Sequence, residues 1–122
     1  MPPGCPVFTP STPLAAEFPE LEPLPSEPVI PKVFPSSFTK TTLHEEIEKT
    51  GRKKIVLCGY MAHVCVSTTA RAGPEFGYEV VVVREAVGDR NIPGVDAKTL
   101  CDVALKEVDD AFGTVVGLSE IK

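Results

Sequence analysis

Two short runs leave this chain little freedom in how it folds: KIVLC at 54–58 and EVVVV at 79–83. Each is apolar at nearly every position rather than at every second one, which is the pattern of a strand covered on both faces, as in a parallel sheet. Parallel neighbours need a crossover long enough to hold a helix. The intervening residues offer one from Val64 to about Ala72, where Gly73 and Pro74 resist its continuation. Beyond the second run, VDAKTLCDVALKEVDDAFG supplies Asp96 as N-cap, an apolar face through Leu100, Val103, Ala104, Val108 and Ala111, and Gly113 as terminator. TVVGL then reads as a last strand. Strand and helix alternating through right-handed crossovers predict an α/β fold, a mostly parallel sheet with helices on its faces in three α/β/α layers.

Upstream the pattern weakens. Residues 1–28 are proline-rich, lack hydrophobic periodicity and read as an extended or irregular segment unable to build a core, which leaves residues 29–122 as the folded domain. VIPKVF predicts a strand, with Pro31 confining it to an edge or a bulge. In PSSFTKTTLHEEIEKTG, Thr42 and Glu45 have capping-box spacing, Leu43 and Ile47 form a short apolar stripe, and Gly51 can end the helix in a left-handed conformation.

A length of 122 residues fits one domain. The net charge of −5 supplies no basic stripe to neutralise phosphates, so nucleic acid and anionic membrane surfaces are poor partners and a small molecule fits better. No apolar run approaches the roughly 20 residues of a spanning helix, and the N-terminus lacks the basic and apolar regions of a signal peptide; the sequence reads as cytosolic. The four cysteines, Cys5, Cys58, Cys65 and Cys101, show no Cys-x-x-Cys spacing and no matching histidines, so structural zinc is disfavoured and all four are expected as free thiols. Cys5 falls in the tail, whereas Cys58 in a strand and Cys101 in an amphipathic helix read as packing residues.

Cys65 differs. It lies where the first strand gives way to a helix, and in open α/β sheets ligands bind at such junctions beyond the carboxyl ends of the strands. Unpaired N–H groups and the helix dipole favour a thiolate there, although a thiol packed beneath the first helical turn would occupy the same position. CGYMAHVC lacks the spaced glycines and the lysine of a phosphate loop.

The segment VLCGYMAHVCVSTTARAGPEFGYEVVVVREAVGDRNIPG, preceded by VIPKVFPSSFTKTTL, resembles the core of the isochorismatase-like cysteine hydrolases, the superfamily that includes nicotinamidases and carbamoyl-group amidohydrolases. The likeness runs from about Glu27 to Ile121. It implies Cys65 as the nucleophile that attacks an amide, imide or carbamoyl carbonyl carbon, and Lys32 as the catalytic lysine that favours the thiolate. It further implies a non-proline cis peptide between Tyr60 and Met61, with the N–H groups of Met61 and Cys65 as oxyanion hole. Without the resemblance, Lys32 reads as a solvated edge-strand lysine. Tyr60 and Met61 would then simply line a pocket wall; His63 is a candidate pocket ligand or base, or else a surface or hydrogen-bonding residue; Phe38 with Ser36 and Ser37 is a candidate substrate contact; and Asp89 and Arg90 read as a loop ion pair or subunit contact.

The resemblance also implies an aspartate on a first strand, and no residue here matches it. Glu17, Glu20, Glu22 and Glu27 all lie in proline-rich sequence. The expectation is therefore a domain without its first strand, needing no metal or cofactor, acting on a small-molecule substrate and forming homo-oligomers as family members commonly do. The alternative is an inactive small-molecule binder or interaction module derived from the same fold.

Overall fold

A computed structural model describes residues 8–122, so Cys5 lies outside the described residues. Three strands, β1 (Lys54–Tyr60), β2 (Glu79–Gly88) and β3 (Thr114–Val116), form one parallel sheet in the order β1-β2-β3. Three α-helices alternate with them: α1 (Leu43–Thr50), α2 (Ser67–Ala72) and α3 (Ala97–Ala111). The α/β class and the parallel pairing agree with the sequence pattern.

Pairing sets the two faces of the sheet. Ile55 lies opposite Val80, Leu57 opposite Val82, and Val82 opposite Val115. These side chains share the face on which Val66 and Ala70 join Leu105 and Val108 of α3 in the buried core. On the other face Val81 and Val83 are buried at the centre of the sheet, but Val56 at its edge is 52% exposed. Cys58 is exposed as well, contrary to its reading as a packing residue. The cause is positional: β1 is an edge strand, and its alternate side chains from Val56 to Tyr60 turn away from α2 and α3.

The face of α3 is also rotated from the one read in the sequence. Cys101, Leu105 and Val108 join the core on the sheet at i, i+4 and i+7 and Ala104 is buried beside them in sequence, whereas Val103 is 49% exposed. Asp96 caps α3 as expected, its Oδ1 accepting the Thr99 N–H at 2.9 Å. Thr42 precedes α1 without capping it, and the Leu43 N–H donates instead to Thr41 Oγ1. Gly51 closes α1 at φ +68°.

VIPKVF forms no strand. Residues 29–35 have no regular structure and most are exposed. The proline-rich stretch within the described residues contains two single 3₁₀ turns, Pro13–Ala15 and Pro19–Leu21.

Gly113 follows α3 for a reason other than left-handed geometry. A Cβ there would sit 2.6 Å from the Val80 carbonyl oxygen and 3.1 Å from Val80 Cβ, so the turn can pass β2 only without a side chain. Gly113→Ala is expected to lower the unfolding free energy by about 1–3 kcal/mol, the cost of overpacking against a backbone that cannot yield. Gly51→Ala, with open space around its Cβ and only the left-handed backbone against it, costs about 1 kcal/mol. Urea midpoints of the two variants check the order.

Candidate active site

β1 ends in a sequence of backbone departures that place Cys65. Gly59 takes φ +127°, a conformation open to glycine, and the register with β2 shifts between Leu57 and Gly59. The Tyr60–Met61 peptide bond is cis. The chain then enters a single π-helical turn, Ala62–Val66, in which the Met61 carbonyl accepts from both the Val64 and Val66 N–H groups at 3.1 Å. Cys65 lies within that turn and α2 continues from it, so the thiol precedes α2 by two residues. Met61 is 2% exposed and Cys65 half-buried.

Lys32 approaches from the irregular segment. Its Nζ lies 3.4 Å from Cys65 Sγ and donates to the carbonyl oxygens of Phe34 and Pro35 at 2.9 and 3.0 Å. Two neutral carbonyls thus cradle the ammonium without neutralising it, and its positive charge stays directed at the sulfur. Among the described residues no Asp or Glu forms an ion pair with Lys32.

His63 and Asp89 meet across 26 residues, a pairing no local pattern announces. The Asp89 carboxylate has no exposed surface and lies 2.7 and 2.8 Å from His63 Nδ1. A carboxylate can only accept, so Nδ1 carries the proton. The same carboxylate accepts the backbone N–H of His63 at 2.9 Å and of Arg90 at 2.8 Å. Asp89 therefore ties the loop after β2 to the π-helical turn that holds Cys65. Arg90 does not pair with it through the side chain; its guanidinium reaches the Asn91 carbonyl.

The remaining candidates are structural in their contacts. Phe38 is 7% exposed and stacks on Phe76 at 4.7 Å and on Tyr78 at 5.8 Å. The Ser36 hydroxyl accepts the Phe38 N–H, and Ser37 joins Thr69 of α2. Cys101 packs on the core with its thiol 3.8 Å from the Val87 carbonyl; burial first, then Asp89 and Asp102, push the thiol pKa up. A groove of about 380 Å³ between α1 and the outer edge of β1 is lined by Leu43, Ile47, Ile55, Leu57 and Thr69, without Cys65 or Lys32. Glu46, Thr50, Arg52 and Lys54 also line this groove, which is separate from the Lys32–Cys65 pair. Among the described residues no cluster of three or more His, Cys, Asp or Glu side chains is arranged to hold a metal ion.

Burial alone would raise the Asp89 pKa, but hydrogen bonds from the His63 and Arg90 N–H groups and from the His63 ring outweigh it, leaving the carboxyl below its ordinary value. A carboxyl depressed in the folded state stabilises the fold above its unfolded pKa of about 3.9, and that contribution disappears as pH falls through the folded value. Asp89→Asn should therefore melt below the wild type near neutrality, and the difference should shrink once pH drops below about 4. Melting temperatures of both proteins across this range check the sign.

Comparison with known proteins bears on the family and the fold. The chain matches the isochorismatase domain over residues 3–120. It is 57% identical over 120 residues to a secreted isochorismatase effector, Isc1, of Verticillium dahliae, covering 98% of this chain and 63% of that protein. It is 32% identical over 104 residues to a maleamate amidohydrolase of Pseudomonas putida, covering 85% of this chain and 46% of the enzyme. The crystal structure of an isochorismatase from Pseudomonas putida superposes with a TM-score of 0.90 at 32% identity, over 95% of this chain and 62% of that one. The chain thus spans about half to two thirds of the length of these relatives. The cytosolic reading of the sequence is overturned by Isc1, a protein of high identity described as secreted. No described helix is long and apolar enough to cross a membrane. Matching sequence and matching fold over nearly the whole chain place this protein in the isochorismatase family.

Proposed function

We propose that this chain carries the nucleophile of a cysteine hydrolase that cleaves the C–N bond of a small amide, imide or carbamoyl compound. The observation that carries the reading is the Lys32 ammonium 3.4 Å from Cys65 Sγ, on the turn that follows the strand end. The amidohydrolase among its relatives supports the choice of bond. In this reading the Cys65 thiolate attacks the carbonyl carbon, and the π electrons move onto oxygen, where the N–H groups of Met61 and Cys65 receive the charge. Collapse of the tetrahedral species breaks the C–N bond, and the leaving nitrogen takes a proton from solvent water, to which the thiol released its own. Water then attacks the thioester, releasing the acid and the free thiol. Lys32 favours the thiolate before the first step and offsets negative charge during it.

No carboxylate among the described residues stands at Lys32 to relay protons. General acid–base catalysis contributes on the order of 10²–10⁴-fold, so this chain by itself is expected to turn over slowly. Incubation with small carboxamides, maleamate and nicotinamide among them, should leave an acyl adduct on Cys65 detectable by peptide mass spectrometry and absent in Cys65→Ser. Adduct or hydrolysis that persists in Cys65→Ser sinks the proposal.

Iodoacetamide at pH 7 gives a second check. Cys65 should react about tenfold faster than the exposed Cys58, and Lys32→Ala should remove most of that advantage. Cys101, with its raised pKa and partial burial, should react slowest. Equal rates at Cys65 and Cys58 would remove the basis for an activated nucleophile.

A further inference from the structure

Lys32 stands on a segment with no regular structure, and its side chain has four rotatable bonds to order against a partly exposed sulfur. Something must hold it. Its two carbonyl anchors, Phe34 and Pro35, belong to a turn that becomes buried at Ser36 and Phe38. That turn is tied to α2 at one place: the Ser37 N–H donates to Thr69 Oγ1 at 3.0 Å, and the Thr69 hydroxyl donates in return to Ser37 Oγ at 3.2 Å. Thr41 Oγ1 donates to the Ser37 carbonyl and the Phe38 N–H to Ser36 Oγ, which close the turn on itself. Thr69 is 5% exposed and lies four residues, about one helical turn, beyond Cys65.

These contacts form a closed circuit. It runs from Cys65 along the helix to Thr69, across to Ser37, back through Pro35 and Phe34 to the Lys32 ammonium, and from there to Cys65 Sγ. We propose that Thr69, with Ser37, is a positioning clasp for the Lys32–Cys65 pair, acting on the thiol only through the lysine. The inference rests on the reading of that pair as the reactive centre. The physical case is that the attraction between an exposed ammonium and a thiolate is screened by water and salt, so its effect on the sulfur depends on the lysine being held at contact distance. A valine in place of Thr69 fills the same volume and removes both hydrogen bonds. It leaves the Ser37 amide without its acceptor in a partly buried turn.

A double-mutant cycle on the rate of Cys65 alkylation by iodoacetamide at pH 7 tests this, read by peptide mass spectrometry with Cys58 as internal standard. Thr69→Val should slow Cys65 about tenfold, the worth of one hydrogen-bond-sized interaction, while Thr69→Ser should restore the rate to within about twofold. Ser37→Ala, which keeps the amide donor, should retain most of it. In a Lys32→Ala background, Thr69→Val should cause no further loss, because a clasp that works through the lysine has nothing left to position. If Thr69→Val does not fold, Thr69→Ala removes the same hydroxyl without setting a methyl against Ser37 and reads the same cycle. A slow Lys32→Ala protein beside a Thr69→Val protein at the wild-type rate overturns the clasp alone. Equal losses from Thr69→Val with and without Lys32 reduce Thr69 to a packing residue and likewise overturn it. A wild-type rate in Lys32→Ala overturns the Lys32–Cys65 reading and the clasp together.

Discussion

The packing of α2 and α3 against one face of the sheet is the constraint on which the rest of the structure depends. Val66, Ala70, Val80, Val82, Leu105 and Val108 are buried there together. Each fully buried valine or leucine contributes about 1.5–3 kcal/mol, so this face outweighs any single polar contact at the site. It also decides geometry. With Val66 and Ala70 fixed on Val80 and Val82, the chain leaving β1 must turn back within a few residues, and Cys65 is held in that return.

Polar contacts refine what the apolar face allows. Asp89 binds the far side of the π-helical turn through one ring nitrogen and one backbone N–H of His63, and Thr69 binds the approaching segment through Ser37. One tether reaches the Cys65 turn from residue 89 downstream, and the other joins α2 to residue 37 upstream. Each uses a side chain with no exposed surface or nearly none, where water competes least and a hydrogen bond is felt most strongly. Lys32, by contrast, is exposed.

The edge of the sheet is the least settled part of the surface. Among the described residues β1 has a neighbour on one side only, and Val56, Cys58 and Tyr60 along it are exposed. An unpaired parallel edge with half-exposed apolar side chains is a place where another strand can add. The relatives that share this fold are longer by about a third to a half of their own length.

What the sequence by itself determined is local and periodic. The runs at 54–58 and 79–83 required parallel strands, Asp96 required a helix start, and the resemblance of GYMAHVC and its surroundings drew attention to Cys65 and Lys32. Tertiary structure decided everything that depends on which neighbour a residue meets. Cys58 is exposed because β1 has no outer neighbour among the described residues, and VIPKVF, interrupted by Pro31, pairs with no described strand. Leu105 rather than Val103 enters the core because the sheet fixes the rotation of α3. Asp89 with His63 and Thr69 with Ser37 are 26 and 32 residues apart, and no periodicity reaches that far. Propensity and pattern act over a helical turn or a strand; a hydrogen bond between distant residues exists only after burial has brought them together.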